Sequence, residues 1–287
     1  MKRFAFGSHR RPALRARTAA AKLDLELLED RCLLSDGFGY TATAVPFENL
    51  DLQAGQPGVF VILQSGDDVS VPVDLGKDTF NFYGSVYTGN NALYVSSNGL
   101  ISLGASNNDY ANTDLTSSPQ LPVIAPLWFD WAKFSADPMI LGQFQDTNGD
   151  GTNDRLVIEW NAIGTFAGNT SPVTFQAILQ LNSGVNTAAV TFNYVNLDAN
   201  PPAGQTDPVA GATVGIADTP LDPADRLLVS DGSASPLVAT GQAIQFNAPP
   251  FGGTITGQEF NDLNHNGVRD AGEPGLAGWT VYLDLNR

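Results

Sequence analysis

Short apolar runs, often alternating with polar residues, recur along most of the chain, and Gly, Asn, Asp or Pro separates most of them. A period of two is typical of β-strands, whose successive side chains point to opposite faces of a sheet. The pattern predicts strands at 59–63, 69–73, 79–83, 92–96, 100–104, 155–160, 212–217, 226–229 and 241–247.

The clearest pair of strands lies within residues 172–195. Five apolar residues alternate there with Thr, Gln and Ile: Val173, Phe175, Ala177, Leu179 and Leu181. A turn near Ser183-Gly184 follows, and 189–195 returns, which predicts a long antiparallel hairpin with one apolar face. Many short strands at this spacing predict an all-β fold, an antiparallel sandwich or barrel-like core, over residues 37–248.

The tripeptide Ser97-Asn98-Gly99 lies between two of the apolar strands. Asn-Gly at such a place favours a hairpin with a type I′ turn, in which both central residues have positive φ. The sequence therefore predicts a type I′ turn centred on Asn98 and Gly99.

Charge is distributed unevenly along the 287 residues. Residues 1–36 hold eight of the fourteen Lys and Arg, whereas from residue 37 onward six basic residues face 25 acidic ones, a formal charge of −19. An acidic domain repels nucleic acid and anionic membranes, and it suits calcium or a cationic partner. The excess acid also keeps an exported protein soluble, and this plainer explanation stays open. No run of 18 apolar residues occurs, so no membrane span is predicted.

Cysteine and histidine are scarce, which limits the possible chemistry. Cys32 is the single cysteine, and the two histidines are His9 and His265. A Ser-His-Asp site, a Cys-His site and a multi-histidine zinc site are therefore excluded from 37–248. A pair of carboxylates such as Asp130 and Glu159 could still hydrolyse glycosides, but no spacing selects these two acids. We expect no enzymatic activity.

The segment "LWFDW" places Trp128, Phe129 and Trp131 beside Asp130. Aromatic rings near a carboxylate can bind sugars, whereas tryptophans in a β-core usually serve packing. Exposure of Trp128 and Trp131 would favour a carbohydrate-binding or glycosidase-like domain, and their burial would favour a structural role.

Two acidic loops have the spacing of calcium-binding loops, in which side-chain oxygens at odd positions surround one cation and Gly at position six allows a sharp bend. In "DLNHNGVRDAGE" every position of the twelve-residue pattern is met, and Gly267 is at position six. Its predicted ligands are Asp262, Asn264, Asn266, Val268 through its carbonyl, Asp270 and Glu273. In "DTNGDGTND" the predicted ligands are Asp146, Asn148, Asp150 and Asp154. Position twelve of this loop is Val157, so weaker binding is expected; an ordinary polar turn is the alternative for both loops.

The N-terminal segment contains "LELLEDRCLLS", residues 25–35. This motif resembles the N-terminal extracellular signal of planctomycete proteins, with a variable position at Cys32. The resemblance implies that 1–36 is an export segment, disordered or helical, and that the protein is secreted or displayed at the cell surface. An amphipathic helix that docks on the domain is the alternative.

The middle of the chain carries an ordered set of segments: "FNFYGSVYTGNNALYVSSNGLISLG", "PVIAPLWFDW", "LVIEWNAIGTF", "TFQAILQLNSG" and "VGIAD". This order resembles nidogen-like (NIDO-type) extracellular domains. The resemblance implies an adhesion or matrix role, with an extracellular matrix protein, a cell-surface protein or a glycan as partner, and it brings no catalytic residues.

The loop "DLNHNGVRDAGE", residues 262–273, is preceded by "GTITGQEF" and followed by "EPGLAGWTVYLD". These flanks resemble the start of the B-type repeat of serine–aspartate-repeat surface adhesins, a Cna-B-like β-sandwich. The resemblance implies that 249–287 holds the first strands of a second sandwich stapled by calcium. A complete module needs more strands, so we expect the chain to be the N-terminal part of a longer protein.

Overall fold

The computed structural model describes residues 34–168, 170–218, 224–249, 259–276 and 278. In this part of the chain, seventeen strands and one short helix are formed. They are β1 Leu34–Ser35, β2 Thr41–Val45, β3 Val59–Leu63, β4 Ser70–Val73, β5 Thr79–Phe82, β6 Ser85–Thr88, β7 Leu93–Ser96, β8 Leu100–Leu103, β9 Val123–Trp128, β10 Trp131–Ala132, β11 Ile140–Gln145, β12 Arg155–Thr165, β13 Val173–Gln180, β14 Val190–Asn196, α1 Pro208–Gly211, β15 Thr213–Ala217, β16 Arg226–Asp231 and β17 Ala243–Asn247. The predicted all-β class is confirmed. The predicted disordered or helical tail lies outside the described residues, except that its last residues form β1.

The strands form two large antiparallel sheets. The nine-stranded sheet has the order β1-β2-β17-β14-β13-β12-β11-β3, with β10 paired to β12 beside this path. The six-stranded sheet has the order β16-β15-β9-β8-β7-β4, and β5 and β6 form a separate hairpin. The apolar faces of the two large sheets share one hydrophobic core, so the predicted β-sandwich is confirmed.

Aromatic side chains fill the core and use their polar tips to join the layers. The rings of Trp160 and Phe175 stack with centroids 5.0 Å apart. The indole Nε1–H of Trp160 donates to the carbonyl oxygen of Ser96 in the opposite sheet at 2.9 Å. The hydroxyl of Tyr194 likewise donates to the carbonyl oxygen of Pro126 at 3.1 Å. These bonds satisfy polar groups whose burial would otherwise be costly.

The predicted hairpin of β13 and β14 is present, and its five alternating apolar residues all lie in the core. The opposite face of β13 differs from a solvent-exposed polar face, because Gln176 is fully buried there. The reason is a loop that covers the outer face of the sheet.

Residues 46–58, named here the strap, connect β2 near one edge of the nine-stranded sheet to β3 at the other edge. The chain therefore has to cross the outer face of the sheet. Leu50 and Leu52 pack on a small apolar cluster of that face, formed by Leu141, Val157 and Ile178. Burial of these leucines fixes the strap against the sheet.

The predicted type I′ turn is wrong. Ser96 pairs with Leu100, so the loop has three residues, and only Gly99 has a positive φ, of 71°. A three-residue hairpin needs the left-handed conformation only at its last residue. Asn98 is instead fully buried, and its side chain donates to Asp68 Oδ1 at 2.9 Å.

Candidate functional site

The predicted calcium loop 262–273 folds around its own acidic side chains. Glu273 is only 6% exposed, and its two carboxylate oxygens accept hydrogen bonds from the backbone N–H groups of Leu263 at 2.9 Å and Asp270 at 2.8 Å. Glu273 thereby ties the start of the loop to its end. Asp270 Oδ2 accepts from the side-chain amides of Asn264 at 2.6 Å and Asn266 at 2.8 Å.

The two predicted calcium loops fold alike at their first seven positions. The first carboxylate accepts from the N–H of the sixth residue: Asp146 from Gly151 at 2.7 Å, and Asp262 from Gly267 at 2.8 Å. These bonds hold the pKa of each aspartate below its usual range. Each first carboxylate thus stays ionised through the neutral range, as a calcium ligand requires.

Positions three and five also match between the loops. Asn148 Oδ1 accepts from the N–H of Asp150 at 2.8 Å, and Asn264 Oδ1 accepts from that of Asn266 at 3.1 Å. Position four has a left-handed backbone in both loops, with φ 79° at Gly149 and φ 60° at His265. This left-handed residue turns the chain between the third and fifth positions.

The loops differ at positions nine and twelve. Asp154 accepts from the N–H and the hydroxyl of Thr147, both at 2.6 Å, and Val157 at position twelve is buried in the sheet. Loop 262–273 has Glu273 at that position instead. Oxygen-bearing side chains such as those of both loops are the ligands that a hard cation such as Ca²⁺ takes. Both loops lie within the described residues, and in neither do three acidic side chains have their ligand oxygens within 4.8 Å of one another. Loop 262–273 offers the fuller set.

A third acidic group was not predicted from the sequence. Among the described residues, Asp67, Asp68 and Asp130 form the group of three acidic side chains whose ligand oxygens all lie within 4.8 Å of one another. Burial, and then the neighbouring Asp67 and Asp68, raise the pKa of Asp130. The fold joins the residue pair 67–68 to a position more than sixty residues away, so no local spacing could have indicated it.

Trp128 and Trp131 are both fully buried. Their indole N–H groups donate to the carbonyl oxygens of Asp109 at 2.9 Å and Leu127 at 2.8 Å. The two tryptophans therefore offer no exposed ring on which a sugar could stack, and sugar binding by Trp128 and Trp131 is excluded. Their burial favours a structural role for both residues over sugar binding.

The aromatic residue beside Asp130 that does line a cavity is Phe129. It encloses about 250 Å³ together with Asp130, Phe166, Gln205 and Thr206, among other residues. Phe166 is 58% exposed at this cavity. This combination of rings, a carboxylate and polar side chains could accept a small polar ligand.

The hypothetical glycosidase pair is divided between two environments. Asp130 belongs to the acidic group and the cavity, whereas Glu159 is buried on the outer face of the nine-stranded sheet. Glu159 Oε2 accepts a hydrogen bond from Gln176 Nε2 at 2.6 Å. Burial raises the pKa of Glu159 to about 7.

No helix in the described part of the chain is long and apolar enough to cross a membrane.

The fold is a β-sandwich of two large antiparallel sheets. Its loops carry clustered acidic side chains, such as the group of Asp67, Asp68 and Asp130. Comparison with family models matches residues 37–256 to the NIDO-related family. The match covers most of the chain, so the chain belongs to this family, and the resemblance to nidogen-like domains is confirmed at that level. Neither curated proteins nor solved structures gave a match to the chain.

Proposed function

We propose that the chain is a secreted or cell-surface structural and adhesion protein whose β modules are stabilised by calcium and which has no catalytic activity. Residues 1–36 direct export, 37–248 form the adhesion domain, and 249–287 begin a Cna-B-like repeat. The observation that carries the proposal is the common fold of loops 146–154 and 262–273 over their first seven residues, with an oxygen-bearing side chain at positions one, three and five of both loops. Membership of the NIDO-related family supports the extracellular assignment.

The partner is an extracellular matrix protein, a cell-surface protein or a glycan, and it is not a nucleic acid. The formal charge of −19 beyond residue 36 supports this choice, because such a surface repels polyanions. Burial of Trp128 and Trp131 and the scarcity of histidine support the absence of catalysis.

Calcium titration of the full chain by calorimetry tests the proposal, with thermal melts in calcium and in chelator. We expect a dissociation constant of about 10⁻⁴–10⁻³ M, as in extracellular modules. Binding of this strength stabilises the protein by about 1.4–2.7 kcal/mol at 10 mM calcium. Glu273→Gln should remove the tighter phase, and Asp146→Asn the weaker one. A wild-type protein without any calcium response in either measurement contradicts the calcium part of the proposal.

A second candidate function is carbohydrate binding, and the cavity beside Phe129 and Asp130 favours it. Phe166 at its mouth could stack on a sugar ring, while Gln205 and Asp130 bond its hydroxyls. Glycan-array binding that is lost in Phe166→Ala would support this function. Val185→Ala is the control, because Val185 is an apolar residue that is also exposed (74%) but does not line the cavity. Hydrolysis of a bound glycan would extend the second candidate to a glycosidase-like domain.

A further inference from the structure

Three buried polar side chains lie in a row on the outer face of the nine-stranded sheet. Glu159 on β12 pairs with Gln176 on β13, and Gln176 pairs with Asn193 on β14. Gln176 Nε2 donates to Glu159 Oε2 at 2.6 Å, and Asn193 Nδ2 donates to Gln176 Oε1 at 2.7 Å. We name Glu159, Gln176 and Asn193 the polar row.

The polar row binds the main chain of the strap at every second residue. Asn193 Nδ2 donates to the carbonyl of Glu48 at 2.6 Å, and Asn193 Oδ1 accepts from the N–H of Glu48 at 3.3 Å. Gln176 Nε2 donates to the carbonyl of Leu50. Glu159 accepts from the N–H of Leu52. The strap therefore satisfies the buried polar row and at the same time shields it from water.

Glu159 is the member of the row that can change its charge. Burial raises the pKa of Glu159 and outweighs the two N–H donors, Gln176 and Leu52, which lower it. Among the charged groups that face it, Asp51 of the strap disfavours ionisation and Lys133 favours it. The Lys133 ammonium donates instead to the carbonyls of Pro138 at 3.0 Å and Asn161 at 2.6 Å. The closed strap thus holds a carboxyl group that water would ionise easily.

We propose that the strap is a pH-controlled cover, closed over the polar row while Glu159 is protonated and released as Glu159 ionises. Opening returns the carboxyl group to water, where its pKa is near 4.5, whereas the closed state raises that pKa to about 7. Linkage then requires the opening equilibrium to increase as pH rises through this interval, by about 300-fold in full. Release uncovers the polar row and the apolar cluster of Leu141, Val157 and Ile178.

The Arg155–Glu48 ion pair is a second anchor of the strap, with N–O distances of 2.7 Å. Arg155 lowers the pKa of Glu48, so this pair stays intact above pH 5. An experiment between pH 5.5 and 8.5 therefore isolates Glu159 from Glu48.

Hydrogen–deuterium exchange of the full chain, read on peptides covering 46–58, tests the proposal. After correction for the intrinsic exchange rate, we expect the opening equilibrium to rise about 30-fold from pH 5.5 to 8.5. Glu159→Gln should make it independent of pH. Asp130→Asn, which removes a different acid with a raised pKa, should leave the pH dependence of the strap unchanged.

Equal corrected exchange of the wild-type strap at both pH values would overturn the proposal, and so would an unchanged pH dependence in Glu159→Gln. If that variant does not fold, NMR titration of the wild-type protein decides. The proposal requires the Glu159 carboxyl carbon and the strap amides to share a midpoint near 7. A Glu159 midpoint below 5, or strap amides that do not follow it, would overturn it.

Discussion

Gly99 packs directly against the carbonyl oxygen of Leu127. A β-carbon built on Gly99 would overlap that oxygen and would also lie 3.1 Å from the ring of Phe175. Glycine is required here for two reasons. Its φ of 71° is unfavourable for other residues, and the absence of a side chain allows the backbone of β9 to approach closely. The fold places a hairpin tip, a strand of the same sheet and a core aromatic of the facing sheet in one tight contact.

Gly99→Ala should destabilise the domain strongly. The left-handed backbone alone costs about 1–2 kcal/mol for a residue with a β-carbon, and the overlap with backbone adds to this cost. We expect a loss of about 3 kcal/mol or more, measured by urea denaturation.

Gly104→Ala is the matched control for the hairpin. Gly104 has a similar φ of 79°, but a β-carbon there meets no atom within 4 Å. Gly104→Ala should therefore lose only the backbone contribution. Equal losses for the two variants would show that contact with Leu127 carries no cost.

The stability of the domain should decrease as pH rises through the neutral range. The pKa of Glu159 rises from 4.5 to about 7 on folding, so the folded state binds its proton more tightly than the unfolded state. The contribution of Glu159 to the free energy of unfolding is fully present below pH 4.5. It decreases by up to about 3 kcal/mol as pH rises from 4.5 through 7. Urea denaturation at pH 5.5 and 8.5 measures the difference.

Glu159→Gln provides the comparison for that pH dependence. The amide carries no charge to bury, but it has one oxygen for the two donors Gln176 Nε2 and the N–H of Leu52, so one hydrogen bond is lost at every pH. The stability of the variant should therefore lack the decrease between pH 5.5 and 8.5. An equal decrease in the variant between pH 5.5 and 8.5 would mean that a group other than Glu159 titrates.

The ion pair between Arg155 and Glu48 should contribute little to the free energy of unfolding. The bond is bidentate, but the side chain of Glu48 is 50% exposed, so water and salt screen it. Glu48→Gln should cost less than about 1 kcal/mol in low salt and almost nothing in 1 M NaCl. A larger loss that persists in 1 M NaCl would show that packing of the strap, rather than charge, depends on Glu48.

Much of the sheet structure could be predicted from the sequence, because the period of two records which face of a strand is buried. Val173 and Phe175 lie in the core as predicted. The same reasoning placed Gln176 on a polar outer face, whereas it is buried beneath the strap. Periodicity shows which residues share a face, but it does not show what will cover that face.

The candidate sites also differ in whether they depend on local sequence or on tertiary structure. Loops 146–154 and 262–273 are local, so the candidate ligands of each could be named from their spacing alone. Calcium binding by these ligands stays a prediction. The group of Asp67, Asp68 and Asp130 depends on tertiary structure. Asn98 was assigned to a turn by its local pattern, and the fold uses its side chain to hold Asp68.

Position four of the two predicted calcium loops allows a paired test of calcium binding. Gly149 and His265 both have a left-handed backbone, which costs a histidine about 1 kcal/mol relative to glycine. If calcium orders each loop, His265→Gly should tighten binding to the second loop about fivefold, and Gly149→Ala should weaken binding to the first loop by a similar factor. Calorimetric titration measures both constants. Adding Glu273→Gln to His265→Gly should remove the tightened phase, and a tightened phase that survives would place the calcium outside loop 262–273.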